Sequence, residues 1–72
     1  MEIMHRLCQI RKQRGFSQAQ IANILNTTQQ QYSKYENGVH EIPVRHIVVL
    51  CRFYGISADW ILGLSEEKPE RS

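Results

Sequence analysis

The sequence predicts an all-α fold, one small domain of five short helices. Three observations carry that prediction. Apolar residues recur three and four positions apart in five separate runs, whereas no segment alternates apolar and polar residues as a half-buried strand must. The runs are bracketed by residues that start and stop helices: Ser17, Thr28 and Ser57 before, and Gly15, Asn26, Gly38, Gly55 and Gly63 after. Finally, 72 residues lie near the lower limit for a core that folds without disulfides or metal, which leaves little room for a deep, supported cleft.

The first helix is expected from about Glu2 to Arg14, where Ile3, Leu7 and Ile10 form one apolar stripe and Gly15 is the stop. The second starts at Ser17, with Gln20 three residues on completing a capping box. Ile21, Ala22, Ile24 and Leu25 supply its buried side, and Asn26, which tolerates the left-handed conformation, ends it. The third helix follows at once. Thr28 caps it, Gln31 is placed to complete a second capping box, Tyr32 and Tyr35 share its inner face, and Asn37-Gly38 closes it. A loop from Val39 to Ile42 leads to Pro43, which suits the first turn of a fourth helix with Ile47, Leu50, Cys51 and Tyr54 on one side. Ser57 caps a short fifth helix, with Ile56 and Ile61 as a hydrophobic staple and Gly63 as the stop. The predicted domain is 1–64. Residues 65–72 are polar, contain Pro69 and read as a disordered tail or the stub of a linker to something longer.

Two capped helices separated only by Asn26-Thr27 are the sharpest feature. So short a connection makes the helices cross steeply and demands a small residue where they meet. Ala22 sits there, with Ile21, Leu25, Tyr32 and Tyr35 positioned to fill the junction. This is helix-turn-helix geometry.

Composition bounds the alternatives. The formal net charge is +2, but residues 1–64 carry seven basic side chains against four acidic ones, while 65–72 carry two against three. Arg6, Arg11, Lys12 and Arg14 fall within nine positions and form a patch that suits phosphates or is simply a solvated helix face. Cys8 and Cys51 sit at apolar helical positions and are expected to be buried free thiols. His5 and His46 precede them by three and five residues, but no C-x-x-C or H-x-x-x-H pair supports a metal site, and no metal or cofactor is expected. No apolar run approaches membrane-spanning length and no charged n-region precedes an apolar h-region, so the expectation is a soluble, cytoplasmic protein.

Residues Gln18 to Asn37 resemble the helix-turn-helix of the lambdoid phage repressor and Cro proteins and the related Xre-type bacterial regulators. The landmarks are Gln18, Ala22, Leu25, Tyr32 and Tyr35-Glu36-Asn37-Gly38, and the likeness continues through Ile42-Pro43 and Ser57-Ala58-Asp59-Trp60-Ile61-Leu62-Gly63. The sequence departs from that pattern twice, with Asn26 for the usual Gly of the turn and Thr27 for the usual Val or Ile. The resemblance implies a lambda-repressor-like domain whose third helix lies in the major groove of double-stranded DNA. It implies a transcriptional regulator of the repressor kind, working as a homodimer on a pseudo-palindromic operator, with no small-molecule substrate and no membrane.

Within that frame the outward residues of the third helix, Gln29, Gln30, Ser33 and Lys34, are the expected base contacts. A Gln amide offers a donor and an acceptor together, matching the N6/N7 edge of adenine. Gln31 is divided between base contact and its capping role. Ser17, Gln18 and Asn37 match phosphate-contacting positions of the family, and Thr28, at the head of the third helix, joins them, because free N–H groups and the dipole at helix starts favour anions. Arg11 and Glu36 match a buried ion pair of lambdoid repressors and are read as structural.

Two other function classes are open to a chain of this size. An enzyme needs a convergent nucleophile, base or metal set, and the sequence offers only scattered His and Ser. An antitoxin or protein-interaction module on the same DNA-binding fold keeps the chemistry and changes the biology. On the fourth helix, Val49 and Phe53 with His46 beside them lie well around from the main apolar stripe. They either cover the first or fifth helix or form a dimer contact, with Trp60 or Leu64 nearby.

Overall fold

The computed structural model describes residues 2–64, which form five α-helices and no strand: α1 (Glu2–Gln13), α2 (Gln18–Ile24), α3 (Gln29–Glu36), α4 (Val44–Tyr54) and α5 (Ala58–Ile61). The expected tail at 65–72 lies outside the described residues. Leu7 and Ile10 of α1, Ile21 of α2, Tyr32 of α3, Leu50 of α4 and Ile61 of α5 are completely buried, so every helix contributes to one core. Burying a side chain of this size is worth about 1.5–3 kcal/mol. Met4 joins them, one position past the expected Ile3, which is only half-buried.

All five helices end alike. An N–H at the exit returns to the carbonyl five residues earlier: Phe16 to Arg11 at 3.1 Å, Thr27 to Ala22 at 2.9 Å, Val39 to Lys34 at 2.9 Å, Ile56 to Cys51 at 3.1 Å and Leu64 to Asp59 at 2.7 Å. The closure needs a left-handed residue between them. After α2 that residue is Asn26, at φ 59°, and after α3 it is Gly38, at φ 77°. The tight exits aim the chain directly into the next element, which is how 63 residues accommodate five helices.

The structure corrects several expectations. Ile24 is 36% exposed, because α2 is short and its inner face is filled by Ile21, Ala22 and Leu25. Pro43 precedes α4 as its N-cap, with ψ 149°, and its carbonyl accepts from His46 and Ile47. Cys8 and Cys51 are free but only half-buried, since each lies at the margin of its helix's core stripe. His46 is buried and meets the Tyr35 ring at 5.9 Å, so it belongs to the core and not to an outer face of α4. Trp60 is also core, with the Arg6 guanidinium 5.0 Å over its ring.

Candidate nucleic-acid interface

The site begins with two N-caps. Ser17 Oγ accepts from Gln20 N at 3.1 Å, and Gln20 Oε1 accepts from Ser17 N at 2.8 Å, closing the expected capping box at the head of α2. Thr28 Oγ1 accepts from Gln31 N at 3.1 Å. The return bond is missing: Gln31 Nε2 lies instead 3.2 Å from His40 Nδ1, so the second capping box is only half formed. Between the caps, Leu25 and Asn26 turn the chain, and α2 packs against α3 through Ala22, which is 2% exposed where the helices meet.

Turning at 100° per residue, α3 buries Tyr32 and Tyr35, whose rings meet edge to face at 6.4 Å. This inner stripe leaves Gln29, Gln30 and Lys34 exposed, and among the described residues none of their side chains is tied to another group. Ser33 is half-buried, and its hydroxyl accepts from Asn37 Nδ2 at 3.3 Å. Three of the four expected base-contacting residues thus share an open face, while the fourth is linked to an expected phosphate contact.

Behind this face lies a polar cluster that fixes α3 to α1 and α2. Arg11 Nε donates to Glu36 Oε2 at 2.7 Å, Arg11 Nη2 to Glu36 Oε1 at 3.1 Å, and Gln18 Nε2 to Glu36 Oε1 at 2.9 Å. The remaining Arg11 nitrogen, Nη1, donates to the Phe16 carbonyl at 2.8 Å. The paired side chains are only 10% and 4% exposed. Burial alone would raise the Glu36 pKa, but the hydrogen bonds from Arg11 and Gln18 and the Arg11 charge outweigh it and hold the carboxyl below its ordinary value. The hydrogen bond to Glu36 likewise pushes the Arg11 guanidinium up, against the opposing effect of burial. Burial and the Glu36 charge also drive the Tyr32 phenol well up.

The expected phosphate contacts are placed unequally. Ser17 and Thr28 stand exposed at the starts of α2 and α3, and Asn37 is exposed at the end of α3. Gln18 is half-buried with one amide hydrogen committed to Glu36, so its second amide hydrogen and its first-turn backbone N–H are what it offers an anion. The basic patch near the N-terminus divides. Arg6 is buried and donates to the Trp60 carbonyl at 2.6 Å, Arg11 is in the ion pair, and Lys12 and Arg14 remain exposed. Consecutive positions on a helix point in different directions, so one run of arginines supplies both core and surface.

On α4, Val49 is 39% and Phe53 41% exposed, and the Phe53 ring rests on Phe16 at 5.2 Å and on Tyr54 at 5.3 Å. A second apolar surface, missed in the sequence, lies toward the other end of the helix. Val44 and Leu62 line a depression of about 220 Å³ with Ile3, Ile42, Ile47 and Glu41. Its residues come from four parts of the chain, so no single periodicity revealed it. His40 beside Gln31 was missed for the same reason: a loop residue carries no periodic signal. Among the described residues no three His, Cys, Asp or Glu side chains are grouped to hold a metal ion, and no helix is long and apolar enough to cross a membrane.

Residues 9–61 match the family model described as helix-turn-helix. Two proteins of Bacillus subtilis (strain 168) are similar to the chain. One, an uncharacterized HTH-type transcriptional regulator, YobD, is 34% identical over 62 residues, covering 86% of this chain and 55% of that protein. The other, an SPbeta prophage-derived uncharacterized HTH-type transcriptional regulator, YonR, is 37% identical over 57 residues, covering 79% and 53% respectively. The chain spans about half the length of the curated relatives it matches.

Proposed function

Because this chain belongs to the Cro/C1-type helix-turn-helix family of non-enzymatic, DNA-binding transcriptional regulators, we propose that it reads a specific duplex sequence by laying α3 in the major groove and acts as a repressor. The observation that carries this reading is the face of α3. Gln29, Gln30 and Lys34 stand open on a helix whose opposite side is locked by Tyr32, Tyr35 and the Arg11–Glu36 pair. A rigidly mounted helix with an open amide face discriminates bases, since its locked backbone presents those amides from a fixed frame.

In this reading Gln29 and Gln30 carry most of the sequence discrimination, with Ser33 and Lys34 contributing along the same face. Ser17, Gln18, Thr28 and Asn37 hold the phosphates on either side and set register. The protein binds as a homodimer on a pseudo-palindromic operator in the cytoplasm, with Val49 and Phe53 in the two-fold contact. The longest extent of the domain, 31 Å, is comparable to the spacing of about 34 Å between successive major grooves on one DNA face, which supports neighbouring copies on one operator.

Selection of bound sequences from a random duplex library tests the reading. Each lost bidentate contact removes about 1–3 kcal/mol of discrimination, so Gln29→Ala and Gln30→Ala each flatten the preference at one position per half-site. Gln18→Ala and Asn37→Ala weaken binding evenly across sequences. Unaltered base preference after both Gln29→Ala and Gln30→Ala sinks the assignment of the face.

A further inference from the structure

We infer that Gln31 is an additional base-reading residue and that His40, from the loop after α3, is the residue that positions it; this inference rests on the proposed DNA-binding mode. The two S/T-x-x-Q frames of the chain have the same local sequence logic and different outcomes. Gln20 folds back on Ser17, whereas Gln31 leaves the Thr28 backbone and meets His40, with Nε2 3.2 Å from Nδ1. The difference comes from the loop. Gly38 turns at φ 77°, and the N–H groups of Val39 and His40 both return to the Lys34 carbonyl, at 2.9 and 3.3 Å. Ile42 then anchors the loop in the core. The His40 backbone is thereby fixed against the end of α3, and its ring stands beside the first turn, nine residues back in sequence.

The first turn is the part of a recognition helix that approaches base edges most closely. Gln31 follows Gln30 there and neighbours Lys34 one turn on, at the margin of the exposed face. Ordering a mobile Gln side chain costs rotamer freedom. A partner that already holds the amide removes part of that cost before DNA arrives. With Nε2 donating to Nδ1, the imidazole carries its hydrogen on Nε2, and the Gln31 amide keeps its carbonyl oxygen and second N–H for a ligand. Those two groups match the N6/N7 edge of adenine, the same chemistry as Gln30 and on the adjoining side of the helix.

The experiment is sequence selection from random duplexes with the full chain, comparing the unaltered protein with Gln31→Ala, His40→Ala, His40→Asn and Gln30→Ala. His40 is exposed and Gln31 half-buried, and circular dichroism melts establish that each variant is folded. Gln31→Ala is expected to reduce discrimination about tenfold at one base pair per half-site, distinct from the position lost in Gln30→Ala. His40→Ala weakens the preference at the Gln31 position and nowhere else. His40→Asn, which sets an amide near the place of Nδ1, restores it. Base preference unchanged in Gln31→Ala, or affinity lowered evenly across all sequences in His40→Ala, overturns the inference while Gln30→Ala still reports base reading by α3. If the unaltered protein selects no sequence, the DNA-binding mode itself has failed and the inference falls with it.

Discussion

Replacing Arg11 with Met strands the Glu36 carboxylate behind α3, and the burial and hydrogen bonds of the pair set the size of the effect. Glu36 is 4% exposed and accepts two hydrogen bonds from Arg11 and one from Gln18. Breaking a buried pair from one side costs about 3–5 kcal/mol. The carboxylate has an escape, because it can take a proton. From an ordinary value near 4.3 that costs about 3.7 kcal/mol at pH 7, at 1.36 kcal/mol per unit, which bounds the charge penalty from above. The Gln18 hydrogen bond survives, so the expected loss is about 3–4 kcal/mol, against a total stability of roughly 4–11 kcal/mol for 72 residues. The melting temperature falls by roughly 12–30 °C. The sign of the pH dependence follows. In the unaltered protein the lowered Glu36 value adds stability that is present above the unfolded value and lost as pH falls through the folded one. In Arg11→Met the carboxyl value rises instead, so the penalty shrinks by about 1.4 kcal/mol for each unit below pH 7 until the unfolded value is reached. Arg11→Met/Glu36→Met removes both charges and recovers most of the loss. Urea unfolding of the unaltered protein, Arg11→Met, Glu36→Met and the double variant at pH 7 and pH 5 measures each quantity. A penalty below 1 kcal/mol, unchanged between the two pH values and additive in the double variant, would refute the reasoning.

Other outcomes are expected. Val49→Lys abolishes self-association in sedimentation while leaving the helical spectrum intact; Phe53→Glu does the same but also lowers stability, because its ring rests on Phe16 and Tyr54. An unchanged, folded dimer in both variants places the contact elsewhere on the surface. Gly38→Ala costs about 1–2 kcal/mol in chemical denaturation, the cost of φ 77° for a residue with a Cβ, since that Cβ meets nothing within 4 Å. A cost well above that range would show a steric clash at the turn. Burial, helped by the Arg45 charge, holds His46 below its ordinary value, so the unfolded chain binds its proton first. Stability therefore falls as pH drops below about 6.5, and His46→Gln loses that slope between pH 7 and 5.

The amino-acid order alone determined the elements that local chemistry governs. Ser17 with Gln20, Asn26, Gly38 and Ser57 specify where helices start and stop, because a cap or a left-handed turn involves only residues within one or two turns of each other. The inward Tyr32 and Tyr35, and hence the outward Gln29, Gln30 and Lys34, followed from helical periodicity. The pairing of Arg11 with Glu36 came from the family likeness, since nothing local joins residues 25 positions apart. Tertiary structure alone decided what distant segments do to one another. It turned Gln31 away from Thr28 toward His40, set Arg6 over the Trp60 ring, put His46 against Tyr35 and left Ile24 in the open. Gln31, Arg6 and His46 each took a partner from a distant segment, whereas Ile24 stayed open to solvent. The energies differ by about one hydrogen bond or one buried methylene, around 1 kcal/mol, which periodicity cannot resolve and which packing settles only once the helices have met.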